Sequence, residues 1–203
     1  MFKAQKVAKE IYKVLPLLQG DHIVPKNAYE KALCNQLGWT VYNNRYYDAF
    51  NGESYIEIKK GQNSMHFDMV RYGELFLGKG PENTLTVFFR WKKKEKRIVE
   101  AYVIKTKDLI SFLRIDKNNA MIYAKVKDNV PRSVNILASA TAKDLREMAC
   151  FRVTKRGIED SSNGFIFRTK NTNDSWMQTS IPHFFPIRSE PVPQYEEPFS
   201  FYL

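Results

Sequence analysis

Around Gly38 the spacing of apolar residues changes, and this constrains the fold more than any other feature of the 203-residue chain. Before it, Ala4, Val7, Ala8, Ile11, Val14, Leu15 and Leu18 recur at three- and four-residue steps, the spacing of one helix face. Pro16 is placed to end or kink that helix, and Lys3, Lys6, Lys9 and Lys13 form its wet side. Such a face suits a helix docked on the core or on a second copy. A second helix is expected from Asn27, a capping residue with Glu30 three positions on, to just before Gly38. After Gly38 the period falls to two. Thr40–Phe50 is rich in Tyr and Val, Tyr55–Lys60 alternates, and Asn51-Gly52 between them is a strong hairpin signal. Helices followed by a hairpin make a mixed α/β domain.

Further along, Asn63 or Ser64 is positioned to cap a helix to about Leu77, which Gly78, Gly80 and Pro81 break. Strands are expected over 84–91 and 97–105, joined by the basic segment Lys92-Lys93-Lys94-Glu95-Lys96. A short helix from Thr106 or Lys107 to Phe112, a strand over Met121–Lys127, a helix over Thr141–Phe151 and a strand over Gly164–Thr169 follow. The tail after Ile181 reads as extended, because prolines recur among its aromatics.

The net charge of +10 and pI near 9.5 draw the chain to polyanions, nucleic acid first. At 43% hydrophobic it can bury a core. Cys34 and Cys150 sit in apolar segments and are expected to be free buried thiols, as in a reducing cytoplasm. No apolar run approaches a membrane span, so no membrane partner is expected. Zinc-ligand spacing, Gly-rich phosphate loops and nucleophile elbows are absent from the sequence.

The chemistry concentrates in Tyr47-Asp48-Ala49-Phe50-Asn51-Gly52-Glu53-Ser54-Tyr55-Ile56-Glu57-Ile58-Lys59-Lys60. Glu57 and Lys59 are two apart on a strand and point to one face, while Ile56, Ile58 and Lys60 point to the other. Asp48 lies on the preceding strand. A two-residue turn places Glu57 diagonally beside it, and a four-residue turn pairs the two directly. Two carboxylates together suit Mg²⁺, which polarises a phosphate and lowers the pKa of a bound water. A neighbouring Lys can orient that water, take its proton, or stabilise charge on phosphorus. The plainer account of the same residues is a cross-strand salt bridge.

Asp48 followed by Glu57-Ile58-Lys59 resembles the PD-(D/E)XK motif of restriction endonucleases and related nucleases, and no other acidic-x-Lys triplet occurs in the chain. Tyr47 stands where the motif has Pro. The resemblance implies a restriction-endonuclease-like core, a central mixed β-sheet flanked by helices, over residues 1–130. Residues 131–203 are then the DNA-recognition region and tail of the same globular unit. It implies Asp48, Glu57 and Lys59 as catalytic residues, Mg²⁺ held by Asp48 and Glu57, and Glu30 as a further acidic group for the metal or a cap for its helix.

The implied activity is that of a type II restriction endonuclease cutting double-stranded DNA at a short specific site. Its implied companions are a second copy in a homodimer and a protecting DNA methyltransferase. Gln62, His66 (expected at a helix start), Lys92, Lys93, Lys94, Arg152, Lys155 and Arg156 are candidates for DNA contact. Two other functions use the same residues: a structure-directed repair or junction nuclease, and a basic nucleic-acid-binding module without catalysis.

Overall fold

A computed structural model of the chain describes residues 2–21, 28–42, 44–82, 84–129, 137–161, 164–168 and 177–178. Helix α1 (Phe2–Val14) runs into a 3-10 turn (Leu15–Leu17) and is followed by α2 (Tyr29–Leu37). Short strands β1 (Thr40–Val41) and β2 (Ala49–Phe50) lead to β3 (Tyr55–Gly61), β4 (Ser64–Asp68), α3 (Met69–Phe76), β5 (Leu85–Lys92) and β6 (Arg97–Lys105). Then come α4 (Thr106–Phe112), α5 (Lys117–Asn129), β7 (Leu137–Thr141), α6 (Ala142–Met148), β8 (Phe151–Thr154), β9 (Gly157–Asp160), β10 (Gly164–Arg168) and β11 (Met177–Gln178).

Nine of these strands form one sheet in the order β1-β2-β3-β5-β6-β8-β9-β10-β11, and β4 pairs with β7 in a second. In the large sheet β3 and β5 are parallel and the other neighbours antiparallel. A parallel pair needs a crossover, which β4 and α3 supply. The fold is therefore mixed α/β, with a central mixed sheet flanked by helices.

Apolar residues fill both sides of the sheet. Ile56, Ile58, Val87 and Phe89 pack with Val7, Ala8 and Ile11 of α1 and Leu33 and Cys34 of α2. Phe88, Tyr102 and Ile104 pack with Met65, Phe67, Tyr72, Leu109, Ala120 and Leu145 from the opposite layer. Strand β5, buried on both faces, accordingly reads as an almost unbroken apolar run. The apolar face of α1 is committed to its own chain's core. Gly38 ends α2 with φ +68°, a left-handed cap that glycine adopts without strain.

Several expected elements differ. The helix expected from Asn63 or Ser64 is instead β4 followed by α3. Met65 and Phe67 are buried and His66 exposed, the alternation of a strand, and β7 supplies its ladder. Asp68 caps α3, its Oδ1 accepting the N–H groups of Val70 and Arg71 at 3.0 and 3.4 Å. The strand expected over Met121–Lys127 is part of α5. Asp116 and Asn119 each donate a backbone N–H to the other's side chain at 2.9 Å and set its start.

Residues 40–50 form two short paired strands rather than one long strand. Helix α6 ends at Met148, so Phe151 opens β8, and β8 and β9 make a hairpin that was not expected. Thr141 and Asp144 form the capping box of α6. The N-cap of α2 is Ala28, with no side-chain cap bond, so Glu30 is not part of a capping box there. Asn27 lies outside the described residues, as does the tail after Ile181. Of the region 131–203, residues 137–160 contribute β7, α6, β8 and β9. Among the described residues no helix is long and apolar enough to cross a membrane.

Candidate active site

The hairpin forms in the four-residue register. Phe50 pairs with Tyr55 and Ala49 with Ile56 across Asn51–Ser54, and Asp48, one residue before β2, donates its N–H to the Ile56 carbonyl at 2.9 Å. Asn51 holds the turn, its Oδ1 accepting the N–H groups of Glu53 and Ser54 at 3.1 and 2.9 Å. Gly52 takes φ +90°, which a side chain would strain. Glu10 of α1 accepts from Trp39 Nε1 at 2.8 Å and Asn51 Nδ2 at 3.0 Å, anchoring the hairpin to the first core layer.

Glu57 sits in mid-strand between two fully buried isoleucines and is itself 2% exposed. A lone carboxylate there is costly unless paired. Lys59 Nζ and Arg71 Nη1 both donate to Oε1, one from two positions along β3, the other from α3. Oε2 is buried without a hydrogen-bond partner, and so is Arg71 Nε.

Asp48 Oδ2 accepts the N–H of Ile58 at 2.7 Å, which ties this carboxylate to the strand that carries Glu57. Burial pushes the Asp48 carboxyl above its usual range, while the Ile58 N–H, Lys59 and Arg71 pull it down less strongly. Glu30, on α2, is also raised, first by burial and then by the charge of Asp48. Burial lowers the Lys59 ammonium against the opposing pull of Asp48, Glu30 and Asp68. Glu30, Asp48, Glu57, Lys59 and Arg71 therefore form one electrostatic cluster. Cys34 beneath it is a free thiol pushed up to about 12 by burial, Asp48 and Glu30, and is chemically quiet. The other free thiol, Cys150, is half-buried and pushed up to about 11, mainly by burial.

Arg71 is the member that the sequence did not announce. It follows Asp68 by three residues, but that spacing acquires meaning only once Asp68 caps α3. Tyr47, in place of Pro, is explained by its ring. It lies 4.5 Å from that of Tyr55 and 5.5 Å from that of Tyr42, in an aromatic cluster with Phe50 beside Asp48. Lys60 turns away from Lys59, its ammonium 4.5 Å from the Tyr29 ring centroid and 5.0 Å from that of Trp91.

Among the described residues, no three of His, Cys, Asp and Glu stand close enough together to hold a metal by themselves. Mg²⁺ ordinarily takes only one or two carboxylates and completes its shell with water and substrate phosphate. Asp48 and Glu57, the latter with an orphaned buried oxygen, fit that demand. Glu30 stands nearer to Asp48 in its electrostatics than to Glu57.

The candidate DNA-contact residues separate into two groups. Lys92, Arg152, Lys155 and Arg156, from two distant basic stretches, line one groove together with Arg90 and Arg97. Glu100 and Glu159 oppose them there, so the lining remains net positive. Arg152 is held within it, donating to Glu100 Oε2 at 2.7 Å and Glu159 Oε2 at 3.0 Å. Lys93 and Lys94 are exposed in the adjoining turn. Gln62, exposed just past β3, accepts Arg90 Nε on its backbone carbonyl at 3.1 Å, which joins the end of β3 to the groove. His66 stands apart, exposed on β4 opposite Ser139 rather than at a helix start.

No protein-family model matches the chain, and a search of curated proteins found no match to it.

Proposed function

We propose that the protein is a Mg²⁺-dependent DNA endonuclease of the PD-(D/E)XK class, acting as a type II restriction enzyme on a short site in double-stranded DNA. One observation carries this reading. Glu57, buried with one oxygen unpartnered and flanked by Lys59, lies across a hairpin from Asp48, in the order and spacing of the PD-(D/E)XK motif. A salt bridge kept only for stability gains nothing from an unpartnered buried oxygen, which carries its own desolvation cost.

Asp48 and Glu57 would hold the metal, which supplies polarisation of a phosphate and of a water when bound. Lys59 has three N–H donors, and its contact with Glu57 Oε1 requires only one. The others are available to orient a water or meet charge developing on a phosphate oxygen. Burial lowers its proton affinity, which brings Nζ nearer to releasing a proton. The basic groove, tied through Gln62 to the end of β3, suits a phosphate backbone. A homodimer reading a two-fold site and a companion DNA methyltransferase complete the proposal. The cytoplasm is the proposed location.

The test is a gel. Unmethylated phage-length DNA is incubated with wild type and Lys59→Ala, in Mg²⁺ and in EDTA. Discrete bands that require Mg²⁺ and Lys59 are expected. A Mg²⁺-dependent smear would replace site-specific cutting with structure-directed or unspecific cleavage. Intact DNA of varied sequence in every lane, with folded protein, would leave a binding module.

A further inference from the structure

Glu57 and Arg71 make half of the pair that their chemistry allows. A carboxylate and a guanidinium can meet two-armed, with parallel N–H···O bonds. Here Nη1 reaches Oε1 alone, and two further polar atoms of the pair, Glu57 Oε2 and, on the other side of the guanidinium, Arg71 Nε, are both buried without partners. Leaving either unsatisfied costs its full desolvation. Two orphans of opposite sign in one ion pair define what would satisfy them: a cation on Oε2 and an anionic oxygen on Nε. A metal-bound phosphate ester is a ligand that offers both. The cluster borders solvent, since the Arg71 and Lys59 side chains are 22% and 24% exposed, although Glu57 Oε2 and Arg71 Nε are covered until the guanidinium turns toward a ligand. The N–H groups of Val70 and Arg71 in the first turn of α3 are already taken by Asp68, so the Arg71 side chain is the better placed donor for an anion.

We infer that Arg71 is a substrate-contacting residue of this site, its Nε donating to a non-bridging oxygen of the phosphate while Glu57 Oε2 faces the metal. The assignment rests on the nuclease reading for its substrate, but not for its test. Arg71 then has two alternating tasks. Without substrate it neutralises Glu57, and with substrate it fixes the phosphate beside Lys59. A lysine in its place keeps charge but lacks the planar fork.

Thermal unfolding of the full chain, wild type, Arg71→Ala and Arg71→Lys, is measured with Mg²⁺, with thymidine 5′-monophosphate, and with both. In wild type Mg²⁺ raises the Tm, and the nucleotide raises it further only when Mg²⁺ is present. Arg71→Ala keeps the Mg²⁺ shift and loses the nucleotide increment; Arg71→Lys retains part of it and guards against a folding defect in the alanine variant. DNA cleavage by Arg71→Ala falls by about 10²–10³-fold, the loss typical of one preorganised donor. A full nucleotide increment in Arg71→Ala, no increment in wild type, or cleavage by Arg71→Ala at the wild-type rate overturns the assignment. A wild type that shows the increment yet cuts no DNA leaves Arg71 as a phosphate residue and removes only the nuclease reading.

Discussion

Asp48 accepts the backbone N–H of Ile58 through Oδ2 at 2.7 Å, so one carboxylate of the site is positioned by the strand that bears the other. This bond needs an oxygen but not a charge. Asp48→Asn can keep it through the amide oxygen while removing a carboxylate that burial has already made unfavourable. Because the folded pKa is raised, charging Asp48 destabilises the fold as pH rises through that value, and the effect is absent below the unfolded value of 3.8. Asp48→Asn is therefore expected to unfold at an equal or higher temperature than wild type at pH 7, with the difference vanishing below about pH 4. Its cleavage rate should fall more than ~100-fold, beyond the loss typical of a group supporting a metal ligand. Paired melting and cleavage assays check both. A variant that is less stable at pH 7 and still active would remove Asp48 from the site.

Glu100 presents the opposite case. It is 3% exposed on β6, and both Arg90 and Arg152 donate to it. Burial raises its carboxyl, but the two guanidiniums outweigh that and hold it below the usual carboxylate range. Such a group stabilises the fold above its unfolded value of 4.5, and the contribution is lost as pH falls from there through the depressed folded value. Glu100→Gln should lower stability at pH 7 by ~2 kcal/mol, less than the ~3–5 of a fully buried pair because both arginines reach water. Urea denaturation at pH 7 and at pH 3 should show that deficit shrinking in acid.

These two acids show where the sequence is legible and where it is not. The register of β2 on β3 depends on Asn51-Gly52 and on alternation at 55–60, all local, and is one of the two that the sequence allows. The bounds of β6 at 97–105 and the helix over 106–112 are likewise visible in local pattern. Strand β4 is different. Its alternation is five residues long and its partner, β7, lies beyond three intervening helices and two strands. A capping residue at Asn63 or Ser64 therefore suggested a helix. That single misplacement hides Arg71, because only a helix capped by Asp68 turns its side chain to Glu57. Glu100 and Arg152 are similarly far apart in sequence and meet only through β6–β8 pairing. Arg152 was visible as a charge but not as half of an ion pair.

The cap itself is measurable. Asp68 Oδ1 accepts two N–H groups at the first turn of α3. Asp68→Ala should cost ~1 kcal/mol, and Asp68→Asn less, since the amide oxygen can still accept. Chemical denaturation reads the loss. Since the cap also fixes the turn that carries Arg71, Asp68→Ala should weaken cleavage more than its stability loss explains, at a temperature where the variant remains fully folded. Full activity in that variant would show that Arg71 is positioned by Glu57 alone.

The groove gives a prediction that separates charge from chemistry. Lys155 and Arg156 lie in the β8–β9 turn and line it together with Lys92. A cation that contacts a phosphate contributes about −0.9 to the slope of log K against log salt. Lys155→Ala with Arg156→Ala should therefore flatten that slope by ~2 for duplex binding in EDTA. Because phosphate contacts position the duplex without reading it, binding should weaken about equally for all sequences. The rate of cutting at saturating DNA should hold, since neither residue belongs to the Asp48–Glu57–Lys59 cluster. Anisotropy of a labelled duplex over a salt series measures the slope. An unchanged slope would take the DNA path off this groove, whereas a flattened slope with an abolished saturated rate would place these residues at the chemistry instead.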